Sequence, residues 1–255
     1  MIRSIDFGKV ADIYDSYVRA DFDIGFWLKE ACRQKGRVLE LTAGTGRVSV
    51  PLLKAGVDLT CVDYCPEMLA VLKRKVSHEG FVCSIIEMDM TELSLPIQYD
   101  LIFIPFNSFS EIIDRKSQRR TLMHIKHHLA EGGVFFCTLR NPAVKAVDLD
   151  GRLGNIGTFA SADGGTLTVA FESRYEKTSG LVHGFQRYEF RDKCGKSVGR
   201  RKMEINFRLL GREEFEDIAL DAGLEVVDLY GNYDYAKFNQ EESPYMIWRM
   251  KAIQN

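Results

Sequence analysis

The run Val38-Leu39-Glu40-Leu41-Thr42-Ala43-Gly44-Thr45-Gly46-Arg47 constrains this chain more than any other stretch. An apolar run delivers an acid, a glycine-rich turn follows, and a helical pattern then runs from Arg47 to Lys54. That order reads as strand, tight loop, helix. Glycine suits such a loop because a ligand that lies against the main chain would collide with a Cβ. The helix behind the loop aims unpaired N–H groups at whatever the loop holds. A pyrophosphate cradle asks for Gly-x-Gly-x-x-Gly, with the third glycine permitting close helix–strand packing. Here that third position is Ser49. Glu40 stands four positions ahead of Gly44, and a carboxylate there repels a diphosphate and suits a cation or an amine.

Glu40-x-x-x-Gly44-x-Gly46 resembles the first motif of the class I S-adenosylmethionine (SAM)-dependent methyltransferases. Their cofactor carries a sulfonium and an ammonium and no phosphate. Thr42-Ala43 stands where relatives often carry Ala-Cys or Gly-Cys, and both residues are small enough to let the loop close. The apolar run Val57 to Val62 ends in Asp63, 23 positions beyond Glu40. An acid closing the second strand at this distance accepts both hydroxyls of a ribose. Tyr64-Cys65-Pro66-Glu67-Met68-Leu69 looks like the family's turn into its second helix, which implies Met68 near the adenine. Asp89-Met90, after Phe81 to Glu87, resembles the adenine clamp, with Asp89 on the exocyclic amine and Met90 on the ring. Tyr99 to Ile104 reads as the fourth strand, and Pro105-Phe106-Asn107-Ser108 as the loop facing the methyl group. A helix at 117–129 and Ala130-Glu131-Gly132-Gly133 match the turn into a fifth strand. The resemblance therefore implies SAM as cofactor and S-adenosylhomocysteine as product. It implies cofactor contacts from Tyr17, Trp27, Glu40, Thr42, Ala43, Gly44, Gly46, Asp63, Tyr64, Met68, Asp89, Met90 and Phe106.

The 255 residues are 45% hydrophobic and 27% charged, enough for a full core under an ordinary surface. A net charge of −2 gives no general attraction to nucleic acid. No apolar run approaches the roughly 20 residues needed to span a bilayer. Met1-Ile2-Arg3-Ser4-Ile5-Asp6 lacks a basic-then-apolar leader pattern. Six cysteines at 32, 61, 65, 83, 137 and 194 are scattered, which fits buried thiols of a cytoplasmic protein better than a disulfide framework. Cys61 and Cys65 have no second Cys/His pair nearby, so no metal is expected. His124 and His128 share a helix face but lack a third ligand; with Arg119, Arg120, Lys126 and His127 around them they read as a solvated basic face.

Residues 7–20 read as a helix with Val10, Ile13, Tyr14, Tyr17 and Val18 on one face, and Gly25 to Gln34 as a second, anchored by Phe26 and Trp27. Strand and helix patterns alternate to about residue 140, the mark of a parallel sheet covered on both faces. A glycine-punctuated, loop-rich stretch follows Asn141-Pro142. Period-two runs at 166–175, 181–190 and 202–210 then predict an antiparallel meander. Residues 211–220 restore a helix, and 224–230 and 245–253 supply closing strands. The expected fold is an α/β, Rossmann-like three-layer sandwich with a mostly parallel seven-stranded sheet, an antiparallel β-insertion and an N-terminal helical lid. The boundaries are 1–35 for the lid, 36–140 with 211–255 for the cofactor domain, and 141–210 for the insertion.

This arrangement resembles the small-molecule N-methyltransferases, including glycine/sarcosine and amino-sugar N-methyltransferases. Tyr14-Asp15-x-Tyr17 and Trp27 look like that subgroup's lid. The resemblance implies in-line transfer of a methyl group to a small polar acceptor, at an amine nitrogen ahead of an oxygen. Such a displacement with a neutral leaving group asks mainly for proximity, orientation and a dry cavity. Substrate-orienting candidates are Tyr14 through its hydroxyl, Asn107 after the fourth strand, His183 in a predicted hairpin, and Arg208 as a bidentate carboxylate binder. Each has a plain structural alternative: a buried ring, a turn former, a surface histidine and a solvated edge charge. Other readings are a macromolecular methyltransferase, a SAM-binding protein without turnover, or aminopropyl transfer. The first often shows Asn/Asp-Pro-Pro-Tyr where Ile104-Pro105-Phe106-Asn107-Ser108 stands here. The expected partner is a small molecule, with no nucleic acid and no membrane; a homodimer is compatible with the composition.

Overall fold

The computed structural model describes residues 5–146, 149–161 and 163–254. Met1 to Ser4, most of the stretch read for a leader, lies outside the described residues. The chain opens with a 3-10 turn at Phe7–Val10, then α1 (Tyr14–Tyr17) and α2 (Ile24–Gln34). The alternating part follows as β1 (Val38–Leu41), α3 (Ser49–Lys54), β2 (Leu59–Asp63), α4 (Pro66–Glu79), β3 (Ser84–Glu87) and β4 (Tyr99–Ile104). It continues through α5 (Arg115–His128), β5 (Leu129–Arg140) and α6 (Pro142–Lys145). The insertion comprises β6 (Asp150–Ala160), β7 (Thr166–Glu176), β8 (Leu181–Arg191) and β9 (Ser197–Arg208); α7 (Arg212–Asp221), β10 (Leu224–Tyr230) and β11 (Tyr245–Ala252) complete the chain.

Every residue of β1 and β2 is buried, as strands covered on both faces require. The main sheet has the order β10-β11-β5-β4-β1-β2-β3. β1 pairs in parallel with both β2 and β4, so the winding reverses beside it and a crevice opens at the carboxyl ends of β1 and β4. β11 runs antiparallel to both β5 and β10. One face is packed by Leu122, Ile125, Phe215 and Ile218 from α5 and α7. The other is packed by Phe26, Trp27, Leu52, Leu69 and Leu72 from α2, α3 and α4. This is the α/β sandwich expected, with its seven-stranded, mostly parallel sheet and a separate antiparallel sheet.

Three expectations need correction. The first helix is not continuous over 7–20: a 3-10 turn and a four-residue α-helix divide it. The stretch expected to be loop-rich instead holds β6, paired with β7 through two irregularities, at Asp150/Leu153 and at Asn155/Gly157. A Cβ on Gly154 would lie 2.5 Å from the Phe171 ring, so glycine here permits close packing across the strand pair. The basic face on α5 is only partly solvated. His128 is buried, its Nε2 accepting the Leu95 N–H at 2.8 Å and its Nδ1 donating to the His124 carbonyl at 2.7 Å.

The insertion forms a four-stranded antiparallel meander, β6-β7-β8-β9. Leu167, Val169, Met203 and Ile205 on its inner face pack against Val10 and Tyr17. Ile5 bridges to Ile205. The N-terminal segment and this sheet thus meet above the carboxyl edge of the main sheet.

Candidate active site

Backbone strain marks the crevice first. Thr42, Phe106 and Asn107 all have left-handed φ (63°, 56° and 68°), and all follow the carboxyl ends of β1 and β4. A β-branched or bulky residue in this region is an outlier that the surrounding packing must hold in place, at about 1–3 kcal/mol each. The strain turns both loops across the cleft rim. Gly44 and Gly46 are also left-handed (57° and 87°), but for different ends. A Cβ on Gly46 would lie 2.4 Å from Leu72 Cδ1, so this glycine serves loop–helix packing. A Cβ on Gly44 would meet only Met68 Cε, at 3.5 Å, on the cavity side.

Between these loops and the roof lies a cavity of about 240 Å³. Its floor includes Thr42, Gly44, Asp63, Tyr64, Met68 and Phe106. Its roof includes Phe7, Tyr14 and Tyr17 from the N-terminal segment and Met203, Ile205 and Phe207 from β9. Asp63 is held by the main chain: Oδ2 accepts from the Gly44 N–H and Oδ1 from the Cys65 N–H, both at 2.8 Å. Those bonds fix the carboxylate across the loop tip.

A small annex behind Thr42 and Gly44 is lined by Glu40, Arg47 and Tyr14. Glu40 is 1% exposed and accepts from the Ser49 hydroxyl at 2.6 Å. Ser49 therefore replaces the third glycine of a diphosphate cradle with a donor to this acid. Burial pushes the Glu40 carboxyl up to about 8, against the pull of Ser49 and Arg47. Arg47 is itself committed. It bonds both oxygens of the fully buried Asp23, donates to the Ala20 carbonyl at 2.9 Å and lies 4.4 Å from the Phe106 ring centroid.

The roof is aromatic. Phe7, Tyr14, Tyr17 and Tyr188 meet edge to face in sequence. Tyr188 donates to Gln186 Oε1 at 2.6 Å, so the 3.1 Å contact between Tyr17 and Tyr188 has Tyr17 donating. Burial raises the Tyr14 and Tyr17 phenols well above their ordinary value, so both remain protonated.

Several residues singled out from sequence lie elsewhere. Trp27 is fully buried, stacked on Phe103 at 4.6 Å and bonded through Nε1 to Asp23, so it is a core residue beneath the sheet and no part of a lid. Asp89 caps the 3-10 turn Met90–Glu92 through the Thr91 N–H, and Met90 is packed in the core; neither lines the cavity. Ala43 is buried and touches only the annex. Asn107 lies between two cavity residues, Phe106 and Ser108, without lining the cavity itself. His183 faces a separate groove on the insertion and bonds Asn206 Oδ1. Arg208 does not line the cavity and is paired with Glu214 at 2.7 Å.

Sequence reasoning missed Glu111, Phe207 and Gln186, which all line the cavity. Glu111 ends the 3-10 turn Ser108–Glu111. Burial, with the Asp63 charge added, pushes its carboxyl up to about 8. Among the described residues, no three or more His, Cys, Asp or Glu side chains group as a metal site. The cysteines are all free, three of them buried and Cys32 and Cys194 exposed. No helix of the described residues is long and apolar enough to cross a membrane.

The residues present fit SAM better than a dinucleotide. Asp63 lines the cavity and Glu40 the annex behind it, and among the described residues no lysine or arginine lines the cavity. That lining opposes a diphosphate and favours a sulfonium and ammonium. Glu40 and the annex would receive the cationic end, and Asp63 the ribose hydroxyls. Bound there, SAM supplies an electrophilic methyl group.

Comparison with known proteins agrees. Residues 38–133 match the model of a methyltransferase domain. A glycine/sarcosine N-methyltransferase from Halorhodospira halochloris is 32% identical over 136 residues, covering 52% of this chain and 51% of that protein. A glycine/sarcosine/dimethylglycine N-methyltransferase from Actinopolyspora halophila is 25% identical over 246 residues, 94% of this chain and 40% of the relative. The chain therefore spans about half, or less, of the length of these curated relatives. The CcbJ methyltransferase of Streptomyces caelestis shares the fold at a TM-score of 0.85 with 21% identity, covering 98% of this chain and 99% of that one. Residues 38–133 thus match a methyltransferase domain, and the chain is similar in sequence to N-methyltransferases and in fold to a methyltransferase along nearly its whole length.

Proposed function

We propose that this chain transfers the methyl group of SAM to the nitrogen of a small amine. The observation that carries this reading is the roofed, acid-lined cavity at the carboxyl edge of β1 and β4, closed above by Tyr14, Tyr17 and Phe207. The roof of N-terminal and β9 side chains over the cavity suits a small acceptor. The names of the two curated relatives, which act on glycine and sarcosine, point to nitrogen as the accepting atom. The residues of this chain contribute position and exclusion of water. Asp63 and the Gly44 turn fix one partner, and the aromatic roof confines the other in a dry space. No side chain needs to assist a neutral leaving group. The domain division into lid, cofactor domain and insertion is part of the same proposal, with the lid shortened to residues 7–18. A cytoplasmic protein acting as monomer or homodimer fits it as well.

Radiolabelled methyl transfer from SAM, run across a panel of small amines, alcohols, bulk RNA and protein, tests the proposal. Label in an amine supports it. Label in RNA or protein alone refutes it, and tight SAM binding with no label in any acceptor marks a binding protein without turnover.

A further inference from the structure

Among the described residues, Glu111 is the carboxylate of the cavity that the cofactor site does not account for. Phe106 and Asn107, both left-handed, fold the chain back after β4 so that the turn Ser108–Glu111 crosses the cleft. The turn is pinned on each side of the acid. Phe109 is fully buried, Ile112 is 6% exposed, and the Ile112 carbonyl accepts from Gln118 Nε2 at 2.6 Å. Glu111 is thereby held with its carboxylate at the cavity wall and enclosed by protein on its other sides. Among the described residues nothing donates a hydrogen bond to it and no cation pairs with it. A half-buried acid without a donor is costly to ionise in the empty protein, and a cationic ligand group in the cavity would offset that cost.

Its surroundings narrow that ligand. Tyr14, Tyr17, Phe7 and Phe207 supply ring faces and edges, and Met203 and Ile205 an apolar wall. Rings of this kind attract a cation and an apolar body alike. Among the described residues no lysine or arginine lines the cavity, and Arg208, outside it, is paired with Glu214. An acceptor bearing its own carboxylate, such as glycine or sarcosine, would place that charge beside Glu111 and Asp63 with no partner.

Resting on the methyl-transfer reading above, we infer that Glu111 selects a cationic amine with an apolar, ring-sized body and no carboxylate, binding its ammonium and accepting its proton. In that transfer the N–H bond breaks, its electron pair stays on nitrogen as the lone pair needed for attack, and an O–H bond forms on Glu111. The specificity therefore departs from that named for the two curated relatives. The titratable groups that share the cavity wall with Glu111 are Asp63 and Tyr64 at and after the end of β2 and Tyr14 and Tyr17 of α1, with Arg47 across the annex and Arg208 of β9 donating to the Ile113 carbonyl beyond the turn. Enclosure, with the Asp63 charge beside it, pushes the Glu111 carboxyl up to about 8. Binding an ammonium at pH 7 will then release a proton from the Glu111 site.

The test uses the full chain saturated with S-adenosylhomocysteine, so that no turnover intervenes. Titration calorimetry is run with N-methylbenzylamine, with its neutral isostere benzyl methyl ether and with sarcosine. The expected result is an amine bound roughly tenfold or more tighter than the ether, the gain of a charge-assisted hydrogen bond, with sarcosine weakest. Repeating the amine titration in two buffers of different ionisation enthalpy should show proton release. Glu111→Gln should abolish both the preference and the release while leaving S-adenosylhomocysteine affinity unchanged. Equal binding of amine and ether, no amine binding, tightest binding of sarcosine, or an unaltered preference in Glu111→Gln overturns the inference. Should Glu111→Gln fail to fold, the comparison of the three ligands on the native chain still decides. Absence of S-adenosylhomocysteine binding to the native chain defeats instead the methyl-transfer reading on which it rests.

Discussion

Replacing Asp63 with alanine should damage the protein twice, once without any ligand and once with it. In the native chain, the carboxylate closes the loop after β1 onto the end of β2 by accepting the Gly44 and Cys65 N–H groups at 2.8 Å each. Truncation leaves two main-chain donors without their charged acceptor, one of them on the buried Cys65. Each orphaned donor costs about 1–3 kcal/mol, so stability should fall by roughly 2–6 kcal/mol, a large share of a typical folding free energy. Loss of a charged acceptor for the ribose hydroxyls adds about 1.5–3 kcal/mol to cofactor binding, which is roughly ten- to hundredfold in Kd. Urea unfolding of the ligand-free chain measures the first effect and titration calorimetry with SAM the second. Asp63→Asn keeps one acceptor oxygen and should fall between the two. An unchanged urea midpoint in Asp63→Ala would refute the loop-closing role, and unchanged SAM affinity the cofactor role.

Glu40→Gln tests the buried acid by pH. A carboxyl whose folded value lies near 8 against about 4.5 unfolded contributes its full stability below pH 4.5 and loses it as pH rises to 8. Ligand-free wild type should therefore lose up to about 1.4 kcal/mol per pH unit across that window relative to Glu40→Gln. Urea midpoints that track each other from pH 5 to 8 would contradict it. Glu111 titrates in the same window in both proteins and cancels from the comparison. Gly46→Ala forces a Cβ to 2.4 Å from Leu72 Cδ1 at a left-handed φ, and should lower stability by about 1–3 kcal/mol in thermal melts. Hydrogen exchange should slow in residues 7–18 when SAM binds, because they roof the cavity. It should stay unchanged in α2, where Phe26 and Trp27 are buried already.

Much of the framework was legible in the residues. Strands buried on both faces are written as continuous apolar runs, so β1, β2 and β4 stood out, as did Glu40 and Asp63 near their carboxyl ends. Gly44 and Gly46 announced a left-handed turn, although only Gly44 proved to face the cavity. The roof was harder to read. Apolar spacing shows that Tyr17 and Trp27 are covered but not by what, and one faces the cavity while the other lies in the core. Asp89 was read by its place after β3, yet its side chain serves the local turn, a job that Asp performs wherever a chain bends. The glycines of 151–157 imitated a loop because bulged pairing and a ring packed over Gly154 leave the strand little side-chain pattern. Glu111 was invisible for a conformational reason. Its place depends on two successive non-glycine residues in left-handed backbone, which no periodicity encodes.

The central claim is that an acid-lined crevice above β1 and β4 holds a cationic sulfur cofactor and refuses a diphosphate. Calorimetric titration of the chain with SAM and, in parallel, with NAD tests it most directly. Saturable binding of SAM and none of NAD is the expected result; binding of NAD with no response to SAM would contradict it.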